Sequence, residues 1–284
     1  MLLIIESGST KTEWRFIKDA SAEYETLISP GINPYYQSTE EILQAQTNAL
    51  AWLEEKEISH VYYYGTGITG EEKKAQISDF LAPYVGNAFV SIENDLIAAA
   101  HALCGNERGI ACILGTGSNS GYFEGGALVE QVPPLGFWLG DEGSGGHVGK
   151  RLVLAYLHHE LPTDLRDLFI KRFGALSRLD ILAKAYQGEF PNRWFASFSK
   201  FVFDHRRHPF IYQLIVGSFT EFMEKYVLKY SQKTEVPIHF TGSVAFYYSD
   251  ILKRVVSSFN LRVGHISEGP MAGLTLYHKA NLWP

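Results

Sequence analysis

The chain has 284 residues, 46% of them hydrophobic and 20% charged, the balance of a globular protein with a core large enough for two domains of ordinary size. Its 25 basic and 31 acidic residues give a net charge of −6, which removes the electrostatic case for nucleic acid or an anionic membrane as partner and favours a small-molecule ligand. No apolar run approaches the roughly 20 residues that span a bilayer. Cys104 and Cys112 form neither a metal-ligand spacing nor a disulfide framework, so a reducing, cytoplasmic setting is expected.

In chain order, Leu2–Ile5, Thr12–Ile17 and Tyr24–Ile28 read as a three-strand meander, broken by a Ser-Gly-Ser-Thr turn and by Lys18–Ala22. Ser38–Ile58 follows with helical apolar spacing and a capping start at Ser38, Thr39 and Glu41. Val61–Tyr64 is a short strand, Glu71–Leu81 a helix, Ala88–Ile92 a strand and Leu96–Cys104 an alanine-rich helix. After the polar break at Asn106–Gly109 the meander restarts over Ile110–Leu114, Gly121–Phe123 and Ala127–Val132. Helices are expected over Gly146–Leu161, Ser177–Tyr186, Arg193–Asp204 and Phe210–Tyr230. A strand at Pro237–Thr241, a helix at Tyr248–Phe259, a strand at Leu261–Val263 and a helix at Met271–Lys279 complete the chain. Three antiparallel strands followed by alternating helices and parallel strands, repeated once, make an α/β protein with a mixed sheet in each half.

The repeated frame carries the candidate chemistry. Glu6-Ser7-Gly8-Ser9-Thr10-Lys11-Thr12 and Gly115-Thr116-Gly117-Ser118-Asn119-Ser120 are small, hydroxyl-rich turns on matching strand-turn-strand segments. Such turns let the backbone come close to a ligand, and their successive amides form a concavity for phosphate oxygens. Two facing turns suit a nucleotide triphosphate, although each is also an acceptable tight hairpin. Glu6 stands where it could hold a hydrated Mg²⁺, an ion that takes one or two carboxylates plus phosphates and water.

With those motifs, the chain resembles the sugar-kinase, Hsp70 and actin superfamily, and within it the N-acetylglucosamine kinase and BadF/BadG/BcrA/BcrD ATPase family. The resemblance runs over nearly the full length: Glu6–Thr12 and Gly115–Asn119 as phosphate motifs, Asn94-Asp95 as the catalytic segment, Gly140-Asp141-Glu142-Gly143-Ser144 as the GDEGS signature, Thr241–Ala245 as the adenosine motif and Gly269–Leu274 as the closing helix. The fold it implies is two ribonuclease-H-like (actin-like ATPase) domains hinged around a nucleotide cleft. Residues 1–108 plus the C-terminal 269–284 would form the first, and residues 109–268 the second, with a helical insertion. Domain closure would exclude water from the reaction.

The resemblance also implies an ATP-dependent kinase acting on a hydroxyl of an amino sugar, with ATP and Mg²⁺ as cofactors. Asp95 would be the general base and Glu6 the metal ligand. Ser9, Thr10, Lys11, Thr116, Gly117, Gly242 and Ser243 would bind the nucleotide, and Asn33, Thr66, Gly136 and Asp141 the sugar. Asp141 and Glu142 are expected on a loop between glycines with both carboxylates accessible. Plainer alternatives exist: Asp95 as a helix N-cap, Asp141 and Glu142 as a helix start, Asn33-Pro34 as a turn. Tyr35 could stack on a sugar face. The basic His205–Pro209 segment departs from the family pattern and reads as a solvated helix end, and His147 as structural. Two other functions fit the same family or fold: an ATPase activator of a radical dehydratase, which would need cysteines presented to an iron–sulfur cluster, and a non-catalytic sugar- or nucleotide-sensing module. Amino sugar and ATP are the expected partners, with a homodimer as a plausible assembly.

Overall fold

The computed structural model describes residues 1–20 and 23–283. The expected turn at Lys18–Ala22 therefore lies partly outside the described residues. Contacts divide the chain into two compact units, Met1–Asn106 with Gly269–Pro284, and Glu107–Glu268.

The first unit holds a five-stranded mixed sheet in the order β3-β2-β1-β4-β5. Its strands are β1 (Leu2–Ser7), β2 (Lys11–Ile17), β3 (Glu25–Pro30), β4 (His60–Gly65) and β5 (Phe89–Asn94). β1 to β3 form the antiparallel meander, and β4 and β5 join β1 in parallel. Both faces of β1 are buried, which is why it reads as a continuous apolar run. Leu3 and Ile5 pack with Trp14, Phe16 and Tyr63 beneath helices α1 (Thr39–Ala45), α2 (Thr47–Leu53) and α3 (Glu71–Val85). Leu2 and Ile4 pack on the other side with Tyr64, with Ala98 of α4 (Asp95–Leu103), and with Met271 and Leu274 of the C-terminal helix Met271–Leu282. That helix lies so close to α4 that a Cβ at Gly273 would strike the Ala102 carbonyl.

The second unit repeats the plan: β8-β7-β6-β9-β10, with β6 (Gly109–Leu114), β7 (Ser118–Glu124) and β8 (Ala127–Glu130) antiparallel, and β9 (Ile238–Thr241) and β10 (Val263–Ser267) parallel to β6. Between β8 and β9 stand α5 (Gly136–Leu139), α6 (Gly145–Leu157), α7 (Thr163–Phe173), α8 (Arg178–Tyr186), α9 (Pro191–Ser197), α10 (Ser199–Asp204) and α11 (Pro209–Lys225). Then α12 (Ser243–Tyr247) and α13 (Ser249–Ser258) flank β10. The α/β class and the two mixed sheets flanked by helices are as the sequence implied.

Several boundaries are corrected. The single helix expected over Ser38–Ile58 is two, divided at buried Gln46, which leaves helical geometry and donates its amide Nε2 to the Pro30 carbonyl, 2.8 Å away. The helix expected over Arg193–Asp204 breaks at Phe198, whose ring is drawn in among Phe169, Phe173 and Trp194. α7 escaped the periodicity because only Leu165 and Phe169 of its residues are buried. The last strand runs over Val263–Ser267 rather than Leu261–Val263, with an irregularity that the sequence Val-Gly-His-Ile does not advertise. Among the described residues no helix is long and apolar enough to cross a membrane.

Candidate functional site

The residues singled out in the first unit gather at the C-terminal edge of its parallel strands. β1 leads into the three-residue turn Gly8–Thr10, closed by Gly8 N–H donating to the Lys11 carbonyl at 3.0 Å. Two buried hydroxyls anchor the turn from below. Ser7 Oγ lies 2.7 Å from Thr12 Oγ1 and accepts from Ile32 N–H at 2.8 Å, and Thr12 Oγ1 donates to the Pro30 carbonyl at 2.9 Å. Gly31 donates its N–H to Thr10 at 3.2 Å. Ser9, Thr10 and Lys11 thus sit on a rigid turn with Thr10 and Lys11 exposed.

Gly31 was not among the sequence candidates, yet a Cβ there would run into the Gly8 carbonyl and lie 2.9 Å from the Ser9 carbonyl, both unyielding backbone. Gly31→Ala is expected to displace the turn and weaken nucleotide binding about tenfold or more, with a loss of stability of about 1–3 kcal/mol. Titration calorimetry and thermal melts check both, and unchanged values for each would contradict the assigned packing.

Glu6, at the end of β1, has its carboxyl pushed up to about 7, first by burial and then by the neighbouring carboxylates of Asp95 and Glu13. Thr66 N–H donates to the Ser7 carbonyl at 3.0 Å, placing Thr66 beside the same strand end. Asn33 Oδ1 accepts from Tyr35 N–H at 3.1 Å and abuts Gly67, which has φ +79° and no room for a side chain. Asn33 and the Gly65-Thr66-Gly67 loop are therefore brought together. Tyr35 is exposed and packs edge-on to Tyr36.

Asp95 is the first residue of α4, and it is Asn94 that caps the helix, its Oδ1 accepting from Ile97 N–H at 3.0 Å. The capping role that could have accounted for Asp95 is thus taken by its neighbour. Asp95 stays half-buried at the positive end of the helix, electrostatically coupled to Glu6.

In the second unit β6 leads into the matching three-residue turn Gly115–Gly117, with Gly115 N–H donating to the Gly117 carbonyl at 3.0 Å. The GDEGS segment closes on it. Gly145 and Gly146 N–H groups, at the start of α6, donate to the carbonyls of Gly115 at 2.8 Å and Thr116 at 3.0 Å. Asp141 Oδ1 accepts from Ser118 N–H at 3.1 Å. Gly242, at φ +113°, backs onto Leu114 so tightly that a Cβ would strike the Leu114 carbonyl. Thr116, Gly117, Gly242, Ser243 and Asp141 therefore belong to one cluster, while Gly136 starts the exposed α5 four residues before Gly140.

The expectation that Asp141 and Glu142 are accessible is corrected, since both are buried. Glu142 pairs with Lys225 and accepts from Tyr226 Oη at 3.0 Å, both from the end of α11. Burial acts first on its carboxyl in the upward direction, but the hydrogen bonds from Lys225, its own backbone and Tyr226 outweigh it and hold the carboxyl below its usual range. Asp141 is pushed up to about 6 by burial, against the pull of the Ser118 amide. Lys150, half-buried on α6 and held by the Phe137 carbonyl at 3.2 Å, faces both carboxylates and was missed because it lies outside the motif. His147 Nδ1 lies 2.7 Å from buried Ser218 Oγ, which also accepts from Gly143 N–H at 3.2 Å, and its Nε2 lies 3.6 Å from Glu221. This chain fastens the GDEGS loop to α11, a structural role. The basic segment is also accounted for: His208 caps α11 and pairs with Asp164, and Arg206 lies over the Phe203 ring.

No family model matches the chain, and no curated protein does. Among solved structures, a candidate N-acetylglucosamine kinase from Porphyromonas gingivalis is 37% identical over 99% of each chain, with a TM-score of 0.89. A candidate N-acetylglucosamine kinase from Chromobacterium violaceum is 19% identical over 97% of this chain and 98% of its own, with a TM-score of 0.74. A ROK family glucokinase from Streptomyces griseus, solved with glucose and AMPPNP, is 15% identical over 99% and 98%, with a TM-score of 0.52. At such identities the last two show a shared fold alone. The first is close enough over its whole length to settle kinship: the chain belongs to the N-acetylglucosamine kinase family of the actin-like sugar-kinase superfamily.

Proposed function

We propose that this ATP-dependent sugar kinase transfers the γ-phosphoryl group of ATP to a hydroxyl of an amino sugar, N-acetylglucosamine foremost. The observation that supports the assignment of roles is that Asp95, the first residue of α4, is electrostatically coupled to Glu6 at the strand ends. Phosphoryl transfer requires little covalent work from the protein beyond orienting the attacking hydroxyl and stabilising charge. Asp95 would orient and deprotonate that hydroxyl, and Asn33, Thr66, Asp141 and the Gly136 backbone are the residues assigned to sugar contact.

The turns at Ser9–Lys11 and Thr116–Gly117 would bind phosphates. Gly242 and Ser243 would flank the nucleoside. Glu6 fits a Mg²⁺ ion: burial first, and then the carboxylates of Asp95 and Glu13, raise its pKa, and a cation would offset that negative charge. When bound, Mg²⁺ neutralises charge on the phosphates. Both cysteines are buried, Cys112 in the interior of β6, which counts against the cluster-bearing activator and suits a cytoplasmic setting.

ADP release measured across a panel of N-acetylglucosamine, glucosamine, N-acetylmannosamine, glucose and no sugar tests this reading. Release is expected to depend on sugar, to be fastest with an N-acylated amino sugar, and to stop with excess EDTA and resume with added Mg²⁺. Release indifferent to every sugar would overturn it.

A further inference from the structure

The second unit contains a direct link between its proposed sugar-binding carboxylate and its proposed phosphate turn. Asp141 holds φ at +62°, a region that Asp enters more readily than most residues but that is still uncommon. The conformation turns its carboxylate inward onto the GTGS turn. Oδ1 takes the Ser118 amide at 3.1 Å, and the carboxylate lies flat against Gly117, where a Cβ would meet Oδ2 at 2.9 Å and Oδ1 at 3.1 Å. A side chain at 117 would force the carboxylate to shift. The same turn is held from the other side by the α6 amides of Gly145 and Gly146. The Ser118 amide is thereby held by the acidic side chain.

We infer that Asp141 is a positioning residue for nucleotide as well as a sugar ligand: its carboxylate, through Ser118 N–H, sets the GTGS turn in the conformation that receives phosphate. The inference rests on the proposed kinase reading, and adds that nucleotide affinity depends on Asp141 even when no sugar is present. A residue that served only the sugar would leave that affinity untouched.

Two variants separate the possibilities without imposing backbone strain. Asp141→Gly removes the carboxylate and accepts positive φ freely, while Asp141→Asn keeps an oxygen acceptor for Ser118 N–H in a residue that also tolerates this conformation. AMPPNP affinity is measured by titration calorimetry with Mg²⁺ and no sugar, alongside hydrogen exchange at the Ser118 amide. We expect Asp141→Gly to bind AMPPNP about tenfold more weakly and to exchange Ser118 faster, in line with loss of a hydrogen bond to a charged group, and Asp141→Asn to stay within about threefold of wild type. Equal AMPPNP affinity in wild type and Asp141→Gly would overturn the inference while leaving the kinase reading standing. Failure of wild type to bind AMPPNP would bring down the nucleotide reading, and this inference with it. Thermal melts confirm that each variant is folded; if Asp141→Gly is not, the absence of rescue in a folded Asp141→Asn overturns the inference by itself.

Discussion

Asp95→Asn is expected to lower kcat for phosphoryl transfer by about 10²–10⁴-fold, the range supplied by a positioned general base, while nucleotide and sugar dissociation constants change by only a few-fold. The expectation follows from the local structure. β5 delivers Asn94 and Asp95 to the strand edge, Asn94 takes the cap through Ile97 N–H, and Asp95 starts α4 in reach of the field of Glu6. Because the cap lies on Asn94, the substitution keeps the helix start. Asparagine is nearly isosteric and can still accept a hydrogen bond from a sugar hydroxyl, but it cannot take its proton. A parallel fall in binding would instead make Asp95 a ligand for the sugar.

The second large effect concerns acid. Burial in the first place, and the neighbouring His101 in the second, depress the His278 imidazole to about 3. His278 Nε2 lies 2.8 Å from Tyr64 Oη, which also lies 2.9 Å from His101 Nδ1, and its ring stacks on Tyr62 at 3.7 Å. The C-terminal helix is thus held to β4 by a neutral histidine. A group with a folded pKa below its unfolded value contributes stability that is present above the unfolded pKa, near 6.5, and is lost as pH falls toward the folded value. For His278 the loss is on the order of 5 kcal/mol across that window. His147 and His239, both depressed to about 4 with burial as the leading cause, act in the same direction.

Glu6 and Asp141 run the other way. Their raised values mean that the stability they contribute is present at low pH and lost as pH rises through about 7 and about 6. Comparing variants cancels this. His278→Gln, whose amide can still reach Tyr64 but does not titrate, is expected to show a stability–pH curve shallower than wild type by about 1.4 kcal/mol per pH unit between about 6.5 and 4. Urea titrations along the pH series measure it, and parallel curves would contradict the neutral latch.

What the sequence carried was whatever local chemistry decides. The strand frames around Gly8–Thr10 and Gly115–Gly117 were readable because apolar runs and small turn residues determine them within a dozen positions, and the same chemistry marked Thr116 and Gly242. Features decided by partners far along the chain were not. The helix breaks at Gln46, whose side chain bonds the Pro30 carbonyl sixteen residues earlier in the chain. Gly31 belongs to no motif, and its importance comes from contact with Gly8 and Ser9. Glu142 reads as an exposed helix start until Lys225 and Tyr226 arrive from the end of α11 to bury and pair it. Asp95 was the cap candidate read from the sequence, and the hydrogen bond from Ile97 N–H gives the cap to Asn94 instead.

The central claim, phosphoryl transfer to an amino sugar, is tested most directly by following the γ-phosphoryl group itself, with phosphorus-labelled ATP, Mg²⁺ and N-acetylglucosamine incubated with the protein and the products separated. The account predicts that label appears in a sugar phosphate in step with ADP, with little free phosphate. Label released as inorganic phosphate while the sugar stays unmodified would contradict it.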